Sequence, residues 1–169
     1  MKGNILLITT LITGLSAGLF YAWQVSVIPG TRKISDLNYL ESMQSINREI
    51  LNPWFFIIFL GPLILMVISG IGLHRIDDSQ SFAWVLIASL VYIIGTVGVT
   101  ALGNVPMNNR LDIIELSKLS IDQLQATRRS YEFQWNQYHL IRTAFSVISF
   151  SLLLWATKTH FINTNFINH

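Results

Sequence analysis

Four long apolar stretches restrict the fold of this chain more than any other feature of its sequence. They cover residues 4–28, 53–73, 82–103 and 137–157, with polar segments between them. About 20 helical residues, each rising about 1.5 Å, span a hydrocarbon core of about 30 Å. Because lipid offers no water to free backbone groups, single segments of this kind cross it as helices. The pattern predicts an all-α fold, a four-helix transmembrane bundle that forms one domain over residues 1–169 of a multi-pass cell-membrane protein.

The composition agrees with that prediction and restricts the partners. Hydrophobic residues make up 51% of the chain and charged residues 12%, whereas soluble domains average about 25% charged. We therefore expect the lipid bilayer to be a partner. The Lys and Arg residues are scattered, so we expect no nucleic-acid surface. The absence of cysteine excludes disulfides and thiolate sites. The histidines show no ligand spacing, so no metal site is predicted.

The fourth stretch is too short to cross a membrane by itself. Its apolar run, Ala144–Ala156, would form a helix of about 20 Å. A spanning helix must therefore begin near Tyr138 or earlier, which places His139 and Arg142 inside the bilayer or at its rim. Ionisable groups at membrane depth are costly, face the bundle interior and indicate a functional site by default. Four further side chains share an arc of about 120° with these two on a helix: Glu132, Trp135, Asn136 and Thr143.

The two longest polar segments lie on the same side of such a bundle. In residues 31–51, apolar side chains recur at helical spacing, which predicts a short amphipathic helix capped by Ser35 or Asp36. In the second segment, Leu111–Leu119 is predicted to form another short helix. The sequence therefore predicts short amphipathic helices that cap one side of the bundle.

Three helix boundaries carry specific signals. Asn52 followed by Pro53 is typical of a helix start, with the amide as cap and proline in the first turn. Ser120 and Gln123 form a capping box that opens the last helix. Pro106 predicts that the third span ends before it, because proline disfavours a helical conformation in the residue that precedes it.

An asparagine-rich segment follows the third span, and it has two interpretations. Asn104 can close one helix while Asn108 or Asn109 opens the next, which is a purely structural role. Alternatively, these side chains form a polar cluster facing a substrate, since an amide both donates and accepts hydrogen bonds. The two roles are compatible.

Several motifs resemble those of the anthrone oxygenase-like family of small four-helix membrane proteins. They are Val27–Gly30, Met43–Asn47 with Asn52–Phe55, Asn104–Asn109, and Trp135–Asn136 with Arg142–Thr143. The resemblance implies the four-helix fold and the oxidation of anthrones to anthraquinones by molecular oxygen, with no metal or organic cofactor. Most bacterial members have no assigned function, so the resemblance implies the fold more strongly than the reaction.

A cofactor-free oxygenation of this kind needs a base, fixed donors and aromatic walls. His139 is the candidate base, because its ordinary pKa lies near neutrality. Arg142, Asn104 and Asn136 are candidate donors that stabilise an enolate-type anion. The remaining candidates would bind a flat aromatic or quinone-like molecule, through ring faces or amides: Trp135, Tyr138, Trp23, Trp54, Asn47 and Asn108.

Structural and non-enzymatic alternatives remain open. Arg142 can tie helix ends together, with Glu41 or Glu49 as its partner. A four-span bundle can also bind a lipid or hydrophobic metabolite without catalysis, or stabilise a partner membrane protein. Gly14 and Gly18 permit close helix pairing within the chain or in a homo-oligomer. A closed pocket with aromatic walls near Asn104 would favour a small-molecule site over these structural roles.

Overall fold

The computed structural model describes the backbone of residues 2–167 and the side chains of residues 4–164, and within these ranges it contains helices and no strand. Helix α1 starts as Lys2–Ala22, widens into a π-helical segment at Trp23–Val27 and ends as Ile28–Thr31. Helix α2 is Asp36–Glu49 and helix α3 is Pro53–His74.

Helix α4 is the most irregular of the long helices. It starts as Ser79–Val91, continues through π-helical segments at Tyr92–Gly98 and Thr100–Asn104, and ends as Val105–Asp112. A 3₁₀ turn at Leu116–Lys118 leads to helix α5. The last helix, α5, runs over Ile121–Ile167.

Four of these helices are long and apolar enough to cross a membrane. The segments that meet this criterion are Asn4–Thr31 in α1, Pro53–His74 in α3, Ser79–Asp112 in α4 and Ile121–Thr164 in α5. Helix α2 is short and covers one end of the bundle. The predicted fold class, a four-helix transmembrane bundle with a short helical cap on one side, is confirmed.

The bundle interior combines apolar side chains with hydroxyl groups that bond between helices. Thr10 of α1 pairs with Thr157 of α5 at 2.9 Å, and Ser16 of α1 pairs with the Tyr92 hydroxyl of α4 at 2.7 Å. Small residues allow the backbones to approach closely, as is usual in membrane bundles. Gly14 illustrates this point, because a Cβ placed on it would lie 2.8 Å from the Phe150 ring of α5.

A second apolar cluster joins α2 to the end of the bundle. It buries Tyr39, Leu40 and Met43 of α2 against Tyr131 and Trp135 of α5. Polar contacts hold the same arrangement in place. Arg128 of α5 donates to the Asp36 carboxylate at 3.0 Å and to Glu132 at 2.8 Å. The cap is therefore fixed to α5 immediately before the residues singled out in the fourth apolar stretch.

The predicted stop before Pro106 is wrong, because α4 continues through this proline to Asp112. Pro106 lies in the first turn of the α-helical segment Val105–Asp112, directly after the π-helical segment Thr100–Asn104. A residue in the first turn of a helical segment does not need its own N–H, so proline is accepted there. The predicted short helix Leu111–Leu119 is also wrong, because Leu111 belongs to α4 and only Leu116–Lys118 form a 3₁₀ turn after it.

The other boundary signals are confirmed. Ser35 caps α2 by accepting a hydrogen bond from the Asn38 amide at 3.3 Å. Asn52 caps α3 by accepting from the Phe55 amide at 3.0 Å. The capping box is present in both directions, with the Ser120 amide donating to Gln123 Oε1 at 2.8 Å and the Gln123 amide donating to Ser120 Oγ at 3.3 Å.

A buried carboxylate joins the helices at the opposite end of the bundle. Asp78 caps α4 through the Ser81 amide, and its Oδ2 lies 2.8 Å from Nδ1 of His160 on α5. Asn163 also donates to Asp78, at 3.2 Å. Burial alone would raise the pKa of Asp78, but the hydrogen bonds from His160, Ser81 and Asn163 outweigh it and lower this pKa below its ordinary value.

We expect Asp78→Asn to flatten the acid dependence of stability. Because the folded-state pKa of Asp78 is lowered, its carboxylate stabilises the fold above the unfolded pKa of about 4, and this stability is lost as the pH falls through the folded value. The variant should be about 1–3 kcal/mol less stable than the wild type at pH 7. Thermal unfolding between pH 7 and pH 3 measures both effects.

The matched control for this prediction is Asp77→Asn. Asp77 is the exposed neighbour in the same turn, and its φ of 55° is one that asparagine also adopts readily. The control should follow the wild-type profile. Equal acid profiles for Asp78→Asn and the wild type would show that the ionised carboxylate does not stabilise the fold.

Candidate functional site

A cavity lies where α2 covers the ends of the long helices. Its volume is about 120 Å³. Residues from α1 to α5 line it: Leu19, Phe20, Trp23, Ile46, Asn47, Ile50, Leu51, Phe55, Thr100, Asn104, Val105, Asn108, Trp135, His139 and Arg142. The end of α2 and the turn after it form the roof of the cavity, through Ile46, Asn47, Ile50 and Leu51. The π-helical segments of α1 and α4 form part of its wall. Such segments often occur at functional sites.

Arg142 is the only charged residue in the cavity lining, and it is buried at 8% exposure. Its Nε and Nη2 atoms lie 3.1 and 2.9 Å from Nδ1 of His139. Its guanidinium carbon lies 4.7 Å from the centre of the Phe20 ring and 5.1 Å from the centre of the Trp135 ring. These ring faces provide part of the electrostatic stabilisation that a buried cation needs.

Within the part of the chain whose side chains are described, no carboxylate compensates the charge of Arg142. Among the side chains of residues 4–164, none of the ion pairs within 4.0 Å includes this guanidinium. Glu41 and Glu49, the partners considered from the sequence, are exposed. A buried cation without a counter-ion is energetically costly. The cavity beside Arg142 is therefore suited to an anionic or electron-rich group.

The hydrogen bonds of His139 define its tautomer. Arg142 can only donate, so Nδ1 of His139 must accept. Nε2 then carries the proton and donates it to the Phe20 carbonyl oxygen at 3.1 Å. The ring is fully buried and stacks on Trp135 with centroids 5.1 Å apart and planes 6° apart. Both nitrogens of His139 are engaged, and the lone pair of Nδ1 is directed at the guanidinium of Arg142. The role of His139 as a base stays a prediction.

Asn104 presents an unpaired acceptor at the cavity. Its Nδ2 donates to the Trp135 carbonyl oxygen at 3.2 Å, whereas its Oδ1 is buried without a hydrogen-bond partner. The residue is 1% exposed and makes no side-chain capping bond to its helix. Buried acceptors in proteins are normally satisfied. Oδ1 of Asn104 is thus available to a hydroxyl group of a bound molecule.

A hydrogen-bond network fixes the roof of the cavity. Asn47 donates to the Tyr131 hydroxyl at 3.0 Å, and Tyr131 donates to Oδ1 of Asn108 at 2.9 Å. Trp135 donates through its indole nitrogen to the same Asn108 oxygen at 2.9 Å. Asn108 lies inside Val105–Asp112, so it does not open a helix. The asparagines connect three helices around the cavity instead of capping helix ends.

Three of the predicted site residues lie outside the cavity. Asn136 faces a solvent-open groove of about 560 Å³ on the outer side of α5, together with Arg128 and Glu132. Tyr138 packs over Gly103, where a Cβ would lie 2.7 Å from its ring. Trp54 is 76% exposed, as expected of an aromatic residue at a membrane interface. The polar stripe of α5 is therefore divided between the cavity and the groove.

The other predicted residues are brought together, and four partners join them that the sequence patterns did not identify. The cavity collects His139, Arg142, Asn104, Asn47, Asn108, Trp135 and Trp23. The additional residues are Phe20, Phe55, Thr100 and Tyr131. Two of them follow helical spacing from residues already selected, since Thr100 precedes Asn104 by four positions and Tyr131 precedes Trp135 by four. Phe20 precedes Trp23 by three positions, which is also a helical spacing, and Phe55 belongs to the motif Asn52–Phe55 but was not selected as a site residue.

The described residues contain no group of three or more His, Cys, Asp or Glu side chains arranged to hold a metal ion. His160 and Asp78 are paired with each other at the opposite end.

A family model described as anthrone oxygenase matches residues 54–152 of the chain. The match covers nearly all of α3, all of α4 and the part of α5 that carries His139 and Arg142. No curated protein and no solved structure matches the chain.

Proposed function

The chain belongs to the anthrone oxygenase family, and from this premise we propose that it is an oxygenase of ionised aromatic molecules in the cell membrane. The substrate class is a hydrophobic phenol, which includes the phenolic tautomer of an anthrone. The observation that carries the proposal is the buried guanidinium of Arg142, which faces a cavity with aromatic walls and has no carboxylate partner among the described side chains. The four apolar helices support a multi-pass location.

Arg142 would act by stabilising the phenolate. The pKa of a phenol is about 10 in water, and a fixed cation beside the oxygen lowers it. Donors already aimed at the developing charge need no reorganisation during the reaction. Asn104 complements this role, because its free Oδ1 can accept a bond from a second hydroxyl group. The proton of the phenol leaves to water, since the Nδ1 lone pair of His139 is directed at Arg142.

The phenolate then reacts with molecular oxygen at the carbon para to its oxygen. A carbon–oxygen bond forms as the ring gives two electrons to O₂, which leaves a peroxide on that carbon. The C–H proton moves to the outer peroxide oxygen as the O–O bond breaks, which gives a para-quinone and hydroxide. The hydroxide takes up the proton that the phenol released. The balance is one phenol and one O₂ converted to one quinone and one water. An anthrone follows the same balance through its phenolic tautomer.

The test uses purified protein in lipid nanodiscs with two probes, anthrone and 2-methoxyphenol, under ¹⁸O₂. We expect faster quinone formation than in protein-free nanodiscs, with one labelled oxygen atom in the product and one O₂ consumed per quinone. Saturable binding without turnover of either probe would instead indicate a binding protein for hydrophobic aromatic molecules. Absence of both binding and turnover would overturn the proposed function.

We expect His139→Gln and His139→Ala to differ. Glutamine can accept from Arg142 and donate to the Phe20 carbonyl, as the histidine does, whereas alanine can do neither. Turnover should therefore fall no more than about tenfold in His139→Gln and about 10²-fold in His139→Ala. The pH profile of the wild type should lack an ionisation near pH 6–7. Equal losses in the two variants, together with such an ionisation, would show that His139 is the base.

A further inference from the structure

The lining of the cavity changes from polar and buried to apolar and exposed. The polar side chains that surround its inner end are almost inaccessible, with exposures of 1% for Asn104, 0% for His139 and 8% for Arg142. The most exposed lining residues are all apolar: Leu19 at 39%, Val105 at 41% and Leu51 at 66%. This gradient matches a molecule with a polar head and an apolar tail.

The outer end of the cavity opens on a surface suited to lipid. Leu19 and Val105 belong to helix segments that can cross a membrane. One helical turn before each of them lies another exposed leucine, Leu15 at 50% and Leu102 at 85% exposure. No charged side chain other than Arg142 lines the cavity. A molecule that leaves the cavity past Leu19 and Val105 would enter the hydrocarbon region.

The volume of the cavity limits the size of the head. An engineered apolar cavity of about 150 Å³ in another protein accepts benzene, so the 120 Å³ present here corresponds to a single aromatic ring. Trp23 and Trp135 contact each other, with ring centroids 5.9 Å apart, and form one aromatic wall of the cavity. Phe20 and Phe55 also line the cavity. Three fused rings would require the helices to separate.

We propose that the natural substrate is a single-ring phenol with a long apolar tail, which enters from the bilayer with its ring against the aromatic side chains of the cavity and its tail past Leu19, Leu51 and Val105. This inference rests on the proposed function and specifies its substrate. The oxygen of the ring would face Arg142, and the quinone product would return to the lipid by the same opening.

The experiment measures binding to the protein in nanodiscs by the shift in its thermal unfolding. The probes are phenol, 3-pentylphenol, 3-pentadecylphenol and anthrone, each compared at equal mole fraction in the lipid. A tail that stays in lipid before and after binding contributes nothing to the free energy of binding. The affinities of the three phenols should therefore agree within about threefold. Anthrone should bind at least tenfold more weakly. A tenfold loss on lengthening the tail, or equal binding of anthrone, would overturn the inference.

A variant at the opening tests the route of the tail. Val105→Trp should lower the ratio of the 3-pentadecylphenol affinity to the phenol affinity at least tenfold, because the indole obstructs the tail. Leu102→Trp, one helical turn away and outside the cavity lining, should leave this ratio unchanged. An unchanged ratio in both variants would overturn the lateral route. The two possible failures are distinguishable. If the phenols bind but neither variant changes the affinity ratio, the proposed function stands without this inference. If no phenol binds, the proposed function itself fails.

Discussion

Arg142→Gln lowers the turnover of anthrone or 2-methoxyphenol by about 10²- to 10³-fold, which is the usual cost of removing a preorganised donor to a developing oxyanion. Glutamine keeps a donor toward His139 but has no charge with which to stabilise a phenolate. The loss should appear in binding as well, as a weaker affinity for phenols at pH 8. Initial rates of quinone formation and thermal-shift titrations in nanodiscs measure the two effects.

The stability of Arg142→Gln separates a catalytic role from a structural one. A structural guanidinium leaves its partners unsatisfied when it is removed, and the protein unfolds more easily. Arg142 has no carboxylate partner among the side chains of residues 4–164, so we expect the midpoint of thermal unfolding to stay unchanged or to rise. The matched control is Arg75→Gln, at an exposed arginine near the opposite end, which should keep both activity and stability. A marked drop in stability with wild-type turnover would show that Arg142 only joins helices.

Gly95→Ala strongly destabilises the bundle. A Cβ on Gly95 would overlap the Phe145 ring of α5, so the two helices would have to separate where they pack. Overpacking of this kind costs about 1–3 kcal/mol and sometimes more. Unfolding in a mixed-micelle titration with sodium dodecyl sulfate should show the loss directly.

Two further variants check the cause of that loss. Gly18→Ala introduces the same methyl group into α1, where no atom lies within 4 Å, and it should be neutral or slightly stabilising. The double variant Gly95→Ala with Phe145→Ala should be less destabilised than the sum of the single changes, because the overlapping ring is gone. Equal stability of Gly95→Ala and Gly18→Ala would contradict the close approach of α4 to α5.

The sequence was sufficient for the fold class because hydropathy and capping chemistry are local properties. The four apolar stretches and the caps at Ser35, Asn52 and Ser120 needed no knowledge of neighbours. The stop at Pro106 was predicted wrongly, since the π-helical segment before it has no sequence signature that distinguishes it from an α-helix. The family resemblance carried by the motifs is confirmed by the match to residues 54–152.

The site was predictable only in part. The shortness of the last apolar run indicated that His139 and Arg142 would be buried, and both are. The direction in which each side chain faces could not be obtained the same way. Asn136 is adjacent to Trp135 in sequence, yet the two lie on different surfaces of α5 because successive helical residues differ by about 100°. The engagement of both His139 nitrogens depends on Phe20, which is 119 positions away in the chain.

The buried Arg142 also has a consequence for biogenesis. An arginine at the centre of an isolated helix opposes insertion by the translocon by about 2.5–3.5 kcal/mol. Here the helix that carries it follows α1 and α4 along the chain, so the aromatic ring of Phe20 and the hydroxyl of Thr100, which contact the guanidinium, are synthesised before it. The order of the helices along the chain thus allows the most polar segment to insert against a preassembled surface, and moving α5 to the amino terminus by circular permutation would remove that assistance.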